Sequence, residues 1–405
     1  MRRATLALCV LTAACATERV VYDAPDATPW GPGCALDGGY APSPSMALVT
    51  NSGENSIDEI DTATGTTLRT LQVGVGPLAL NGPHHVAARF SEGWFVTPLS
   101  FPAPAIASGP HASHGSASVN GVLVKRSLCD GRLLGRVDVE ANPGDVVLTP
   151  DGRTALVTHF DLARALANAG DPMAQRSNLL VIDVGTMRVT HRVPVCVAAH
   201  GVAVTADSRT ALVACYGDDA LAVVDLTASP PAVTLRHLGS PPANPTSPSH
   251  GPYSIGVSPD GRTAWVGCSE SGVLVAFDVA TSTFDTARLT RRLPGKPWFM
   301  GFSPDGSRML VPTQNRDGVV EVTTTAPITV ERTVELTAEQ CVLPHQAAWG
   351  PDGRWYLVCE GVHGSDPARW TRGTVLAIDP TDLTVRQRWT AGYYPDAILF
   401  RQGAP

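Results

Sequence analysis

The sequence predicts an all-β fold, a single seven-bladed β-propeller of four-stranded blades, from a recurrent Pro-Asp-Gly turn, a spacing of about fifty residues between its copies, and a composition suited to short strands. The turn occurs at Thr149-Pro150-Asp151-Gly152, Ser258-Pro259-Asp260-Gly261, Ser303-Pro304-Asp305-Gly306 and Gly350-Pro351-Asp352-Gly353, with Ala206-Asp207-Ser208-Arg209 as a degenerate copy. Proline presets φ and glycine accepts positive φ, so each copy reverses the chain between two strands. An alternating strand follows each hairpin, then a variable loop, then a strand ending on an acidic residue: Leu180-Val181-Ile182-Asp183, Val223-Val224-Asp225, Ala276-Phe277-Asp278 and Ala377-Ile378-Asp379. With 38 Gly, 34 Pro and only 17% charged residues in 405, many tight turns are favoured over long salt-bridged helices.

Seven inner strands are expected to begin near His84, Gly144, His200, Tyr253, Trp298, His345 and Asp396. The chain opens on a second strand at residues 46–51 and closes on an inner strand at residues 396–400. The C-terminal strand should therefore pair into the N-terminal blade and close the ring without a free sheet edge. Blades are numbered here from the inner strand at His84, so the composite blade built from both termini is blade 7. The propeller is assigned to residues 45–402, with 403–405 as a tail.

Ahead of it, Met1-Arg2-Arg3, an apolar run from Ala4 to Val10, and Leu11-Thr12-Ala13-Ala14-Cys15 form the three parts of an export signal. The segment resembles a bacterial lipoprotein signal, which implies cleavage after residue 14 and a lipid on Cys15. Ordinary cleavage that discards Cys9 and Cys15 is the alternative. Residues 15–44, rich in Pro, Gly and Asp, read as a flexible tether between lipid and propeller. The expected location is the bacterial cell envelope, at the outer membrane or periplasmic face, with membrane contact through the anchor only. A net charge of -7 with scattered Lys and Arg offers no basic stripe for phosphates, which argues against nucleic acid as a partner.

Ala47-Leu48-Val49-Thr50-Asn51 and Ala155-Leu156-Val157-Thr158-His159, together with the turns and acid-ended strands, resemble the YVTN-repeat, lactonase-like propeller family over residues 45–402. The resemblance implies the fold. The family includes envelope proteins, lactone hydrolases and subunits of redox enzymes, so the fold does not choose among them.

The eleven histidines gather on one face of the expected propeller. His84, His85, His200, His250 and His345 start or precede inner strands, and His111, His114, His159 and His363 lie at or within loops after second strands. Only His191 and His237 fall in outer strands. Hairpin pairing places Pro98, His159, Cys215, Cys268, Thr313, Glu360 and Asn51 around the inner-strand positions as a second ring. Converging imidazoles and a carboxylate suit one Cu, Zn or Fe ion at the channel mouth, with His84, His200, His345 and Asp396 as ligands and His85, His111, His114 and His159 as additions. The plainer alternative is that these histidines hydrogen-bond loop backbone around a wet channel.

Cys196-Val197-Ala198-Ala199-His200 and Cys341-Val342-Leu343-Pro344-His345 repeat one pattern, and Cys196 with Cys215 and Cys341 with Cys359 are candidate disulfides in an exported chain. Cys268 reads as a small buried residue. Insertions at residues 100–120, 160–178 and 361–374 are expected on the histidine face, and Leu162 to Ala167 has helix composition. Arg164, Arg176, Arg369 and Arg372 would make the rim cationic. The first reading of function is a binding or scaffold propeller that takes a small molecule or a protein at its His-rich mouth as a monomer. A metal-dependent redox or lyase-type enzyme is the second, and lactone hydrolysis, from the family resemblance alone, the third.

Overall fold

The computed structural model describes residues 43, 45–75, 80–100, 119–289, 292–325, 329–364 and 366–401. Seven antiparallel sheets follow one another along the chain, which confirms the all-β, seven-bladed reading. Six are built from consecutive strands. In the seventh, Pro395–Phe400 pairs with Met46–Asn51, followed by Ser56–Asp61 and Thr66–Gln72, so the last strand of the chain is the inner strand of the blade that begins it. The registers Ala47↔Phe400, Leu48↔Leu399 and Val49↔Ile398 place the two termini in one ladder.

Packing shows that the ring is closed. Buried apolar residues form one cluster at each interface between neighbouring blades, and there are seven such clusters. Met46, Leu48 and Ile57 of blade 7 meet Phe95, Leu99 and Val122 of blade 1, while Ala47, Val49 and Ile60 meet Tyr356, Val358 and Val375 of blade 6. An open array of seven units would have six interfaces. Second strands such as Thr263–Cys268 are buried along their whole length, because both faces are covered by adjacent blades. Outer strands such as Val385–Tyr393 alternate between half-buried and exposed positions over their first six residues.

The turn motif is held by its own side chains. In four copies a hydroxyl donates to the carboxylate two residues on, at 2.6 Å: Thr149 to Asp151, Thr205 to Asp207, Ser258 to Asp260 and Ser303 to Asp305. The residue after the Asp takes positive φ, at Gly152 (71°), Gly261 (71°) and Gly306 (68°), and Ser208 (61°) does so in the degenerate copy. The acidic residues that end third strands cap the next turn. Asp183 accepts from Thr186, Asp225 from Thr227, Asp278 from Thr281 and Asp379 from Thr381.

Two inner strands depart from the expected register. In blade 1 the strand is only Ala87–Arg89, and His84 precedes it beside an isolated bridge between Pro83 and Leu99. In blade 5 the strand is broken into Lys296–Pro297 and Gly301–Phe302. Trp298, Phe299 and Met300 lie between, and Phe299 bonds to blade 6: its N–H donates to the His345 carbonyl (3.0 Å) and its carbonyl accepts from Ala347 (2.9 Å). Both irregularities face the channel.

Candidate functional site

The channel holds a buried cluster of imidazoles and carboxylates. One ligand atom from each of His84, His85 and His345 lies within 4.8 Å of the others, and the same is true of His345, Glu360 and Asp396. All five residues are buried. His84 and His85 come from the irregular approach to blade 1, His345 from the start of Pro344–Trp349, Asp396 from the closing strand, and Glu360 from the end of Trp355–Cys359.

Each of the three imidazoles has its Nδ1 side occupied. His345 Nδ1 is 2.7 Å from the Asp396 carbonyl oxygen and donates to it. His84 Nδ1 lies 3.3 Å from Asp396 Oδ1, and His85 Nδ1 lies 3.3 Å from Asp145 Oδ1. For His345, whose partner is a carbonyl oxygen, the neutral tautomer this selects carries its lone pair on Nε2. Asp396 also accepts from the Ser52 hydroxyl, and Glu360 accepts from Gln314 Nε2 at 3.1 Å and sits 2.5 Å from His363 Nε2. Burial, then the charge of Glu360, pushes the Asp396 carboxyl well above the usual range, against the Ser52 bond. Burial likewise raises Asp145 to about 7, although its oxygens accept from Val202 N–H (3.0 Å) and Val146 N–H (2.7 Å).

The two buried groups overlap the expected ligand set without coinciding with it. His200 lies beside the cluster, 5.7 Å from His84 between ring centroids, but it stacks on Tyr253 at 3.8 Å and takes no part in either group. His85, expected as an additional ligand, belongs to the first group, and Glu360, placed in the outer ring by hairpin pairing, belongs to the second. His159 is structural: Nδ1 donates to the Asn178 carbonyl (2.8 Å), Nε2 accepts from Glu140 N–H (3.2 Å), and burial lowers its pKa to about 4. His111, His114 and Cys15 lie outside the described residues.

The cluster does not sit at an open mouth. On the side of the insertion that carries helix Leu162–Ala167, Phe160, Tyr253 and Trp298 pack with Ala165 in a buried aromatic group that also reaches Phe299. The insertion after Thr154–His159 supplies part of this group: its helix Leu162–Ala167 is capped by Asp161, which accepts from Arg164 N–H (2.9 Å). Arg164, Arg369 and Arg372 are paired with Glu140, Asp366 and Glu54, so they do not form a rim of unpaired cations.

The opposite face is that of the Pro-Asp-Gly hairpins. There the channel widens to a cavity of about 820 Å³ whose inner end is formed by His85, Asp145, Phe299 and Gln346 and whose outer lining reaches Arg89, Pro150 and Arg401. The Phe299 ring lies 4.7 Å from His85 and 5.4 Å from His345, between the cavity and the rest of the cluster. Disulfides fix the other side. Cys196 joins Cys215 and Cys341 joins Cys359, tying the segments that lead to His200 and His345 to the second strand of the same blade. Cys268 is a buried free thiol.

With this geometry in hand, comparison with solved structures is informative about fold. The periplasmic gluconolactonase of Pseudomonas aeruginosa superposes with a TM-score of 0.61 at 17% identity, covering 88% of this chain and 98% of that one. The likeness is one of architecture. A Bacteroides uniformis protein proposed to be a 6-phosphogluconolactonase gives 0.61 at 13% identity, covering 88% of this chain and 99% of that one. Kuenenia stuttgartiensis hydrazine synthase gives 0.54 at 17%, covering 78% and 88%. No family model and no curated protein matches the sequence.

Proposed function

We propose that this propeller is a metal-dependent enzyme in which His84, His85 and His345 hold one first-row transition metal ion, Zn, Cu or Fe, inside the channel. The observation that carries the reading is the approach of three imidazole ligand atoms to within 4.8 Å of one another. Ligands on one tetrahedral ion with bonds of about 2.1 Å stand about 3.4 Å apart, so a small closing movement suffices. Asp396, Asp145 and the Asp396 carbonyl orient the far nitrogens of the three rings, the arrangement that fixes tautomer and raises ligand basicity at metal centres. Such an ion would supply Lewis-acid or redox chemistry to a small molecule arriving from the hairpin face. A scaffold role at an open mouth is less well supported, because the histidines are buried.

Untagged protein is expected to purify or reconstitute with about one equivalent of metal, and His345→Ala with less than about a fifth of that. Elemental analysis after gel filtration measures both. Sub-stoichiometric metal in a folded, reconstituted wild type would overturn the proposal.

Lactone hydrolysis is the second reading. It is favoured by the gluconolactonase among the fold neighbours and by the His85 and Asp145 pair at the cavity floor. Turnover of simple lactones by metal-stripped protein would select it. Placement in the cell envelope belongs to the same proposal, supported by two disulfides and the signal-like first fifteen residues.

A further inference from the structure

The hairpin-face cavity has apolar walls and a polar floor. Val202, Ile255, Met300 and Ile398 line its sides, and His85, Asp145 and Gln346 lie at its inner end. Its volume of about 820 Å³ falls within the range of small-molecule sites. Gln346 gives the floor a direction. Its Oε1 accepts from Ile398 N–H at 2.8 Å, which fixes the rotation of the amide. Its Nε2 makes no hydrogen bond to the described residues, and the half-buried side chain lines the cavity, so the amide N–H donors point at whatever fills it.

Charge narrows the choice of ligand. Asp145 is the ionisable partner of His85 at the floor, and no Lys or Arg lines that end. The guanidiniums of the lining belong to Arg89 and Arg401 at the outer end, and Arg89 is already paired with Glu92 at 2.8 Å. In the metal-free protein, an anion driven to the floor would lie beside Asp145, with no Lys or Arg there to offset its burial. A neutral acceptor oxygen meets the amide donor without that penalty.

We propose that this cavity binds a neutral organic molecule with an apolar body and a carbonyl oxygen, the oxygen directed inward to Gln346 Nε2. The site is independent of bound metal, and acetophenone is a suitable probe. Calorimetric titration of EDTA-treated protein is expected to show one saturable site with a Kd on the order of 1 mM or tighter. Ethylbenzene, which lacks the acceptor, and benzoate, which is charged, should each bind about tenfold more weakly or worse. Gln346→Met should weaken acetophenone about tenfold, and Ala88→Trp, which fills the cavity from blade 1, should abolish binding in a protein whose melting temperature shows that it folds. Benzoate binding as tightly as acetophenone, no saturation at all, or unchanged affinity in Ala88→Trp would each overturn the proposal. Absence of stoichiometric metal would sink the metal reading and leave this one standing.

Discussion

Asp145 is buried beside His85, and its carboxyl is raised to about 7 from an ordinary value of 3.8. An acid whose folded pKa is raised holds its proton more tightly in the native state. Its contribution to stability is therefore intact below pH 4, falls as pH climbs from about 4 to about 7, and changes little above that. Asp145→Asn removes the titration while keeping one acceptor oxygen. Relative to wild type, the variant should gain about 2 kcal/mol of stability between pH 5 and pH 8, read from urea midpoints at the two pH values. A gap that does not change with pH would show that Asp145 is not desolvated as described. Asp145 also marks where residue-level reading of the sequence stopped short. The ring through His84, Gly144, Trp298 and His345 is visible from the repeat register, and His85 stands out beside it, but Asp145, Phe299 and Gln346, one step further along their strands, do not, and with His85 these form the floor of the cavity. Nothing in residue type sets Gln346 or Phe299 apart; only their depth in the channel does.

At the scale of elements, the Cys196–Cys215 and Cys341–Cys359 disulfides have separable consequences. Each closes a loop of fewer than twenty residues, so replacing either pair by Ala should cost about 3 kcal/mol in denaturant unfolding. They differ in what they position. Cys359 adjoins Glu360 and Cys341 leads into His345, whereas Cys196 and Cys215 flank His200, which lies outside the ligand groups. Metal affinity should therefore drop about tenfold or more in the Cys341→Ala, Cys359→Ala double variant and stay within about twofold in the other pair, measured by competition with a chelating dye. Equal effects would argue against His345 as a ligand. The hairpins, acid-ended strands and helix Leu162–Ala167 were legible because turn chemistry and composition act locally. The broken strand of blade 5 was not. Its residues Trp298 to Met300 look like any apolar strand, and it is hydrogen bonds to His345 and Ala347, distant in sequence, that pull Phe299 into the channel.

For the whole molecule, closure is the property on which stability turns. The seventh interface exists because Pro395–Phe400 occupies the inner edge of the first-formed blade. A chain ending at residue 394 would expose that edge and the apolar faces of blades 6 and 7. It should lose cooperative melting and elute as aggregate in size-exclusion chromatography, and a monomeric, cooperatively melting truncation would refute the closure argument. Count and closure were readable in advance, since the tally of inner strands and the position of the first strand already required a composite blade. The place of the cavity was not readable, because Phe160 and Ala165 of an insertion that looks like a binding loop pack into an aromatic group and do not line it.

The strand that shuts the ring also brings Asp396, which faces His84 and whose carbonyl holds His345. Asp396 follows every histidine in the sequence, the last of which is His363. If the proposed ion needs that bracing, a chain without its closing strand would hold these imidazoles unsupported, and ion capture would await closure of the ring. Metal loading would then serve as a chemical receipt that the circle has been joined.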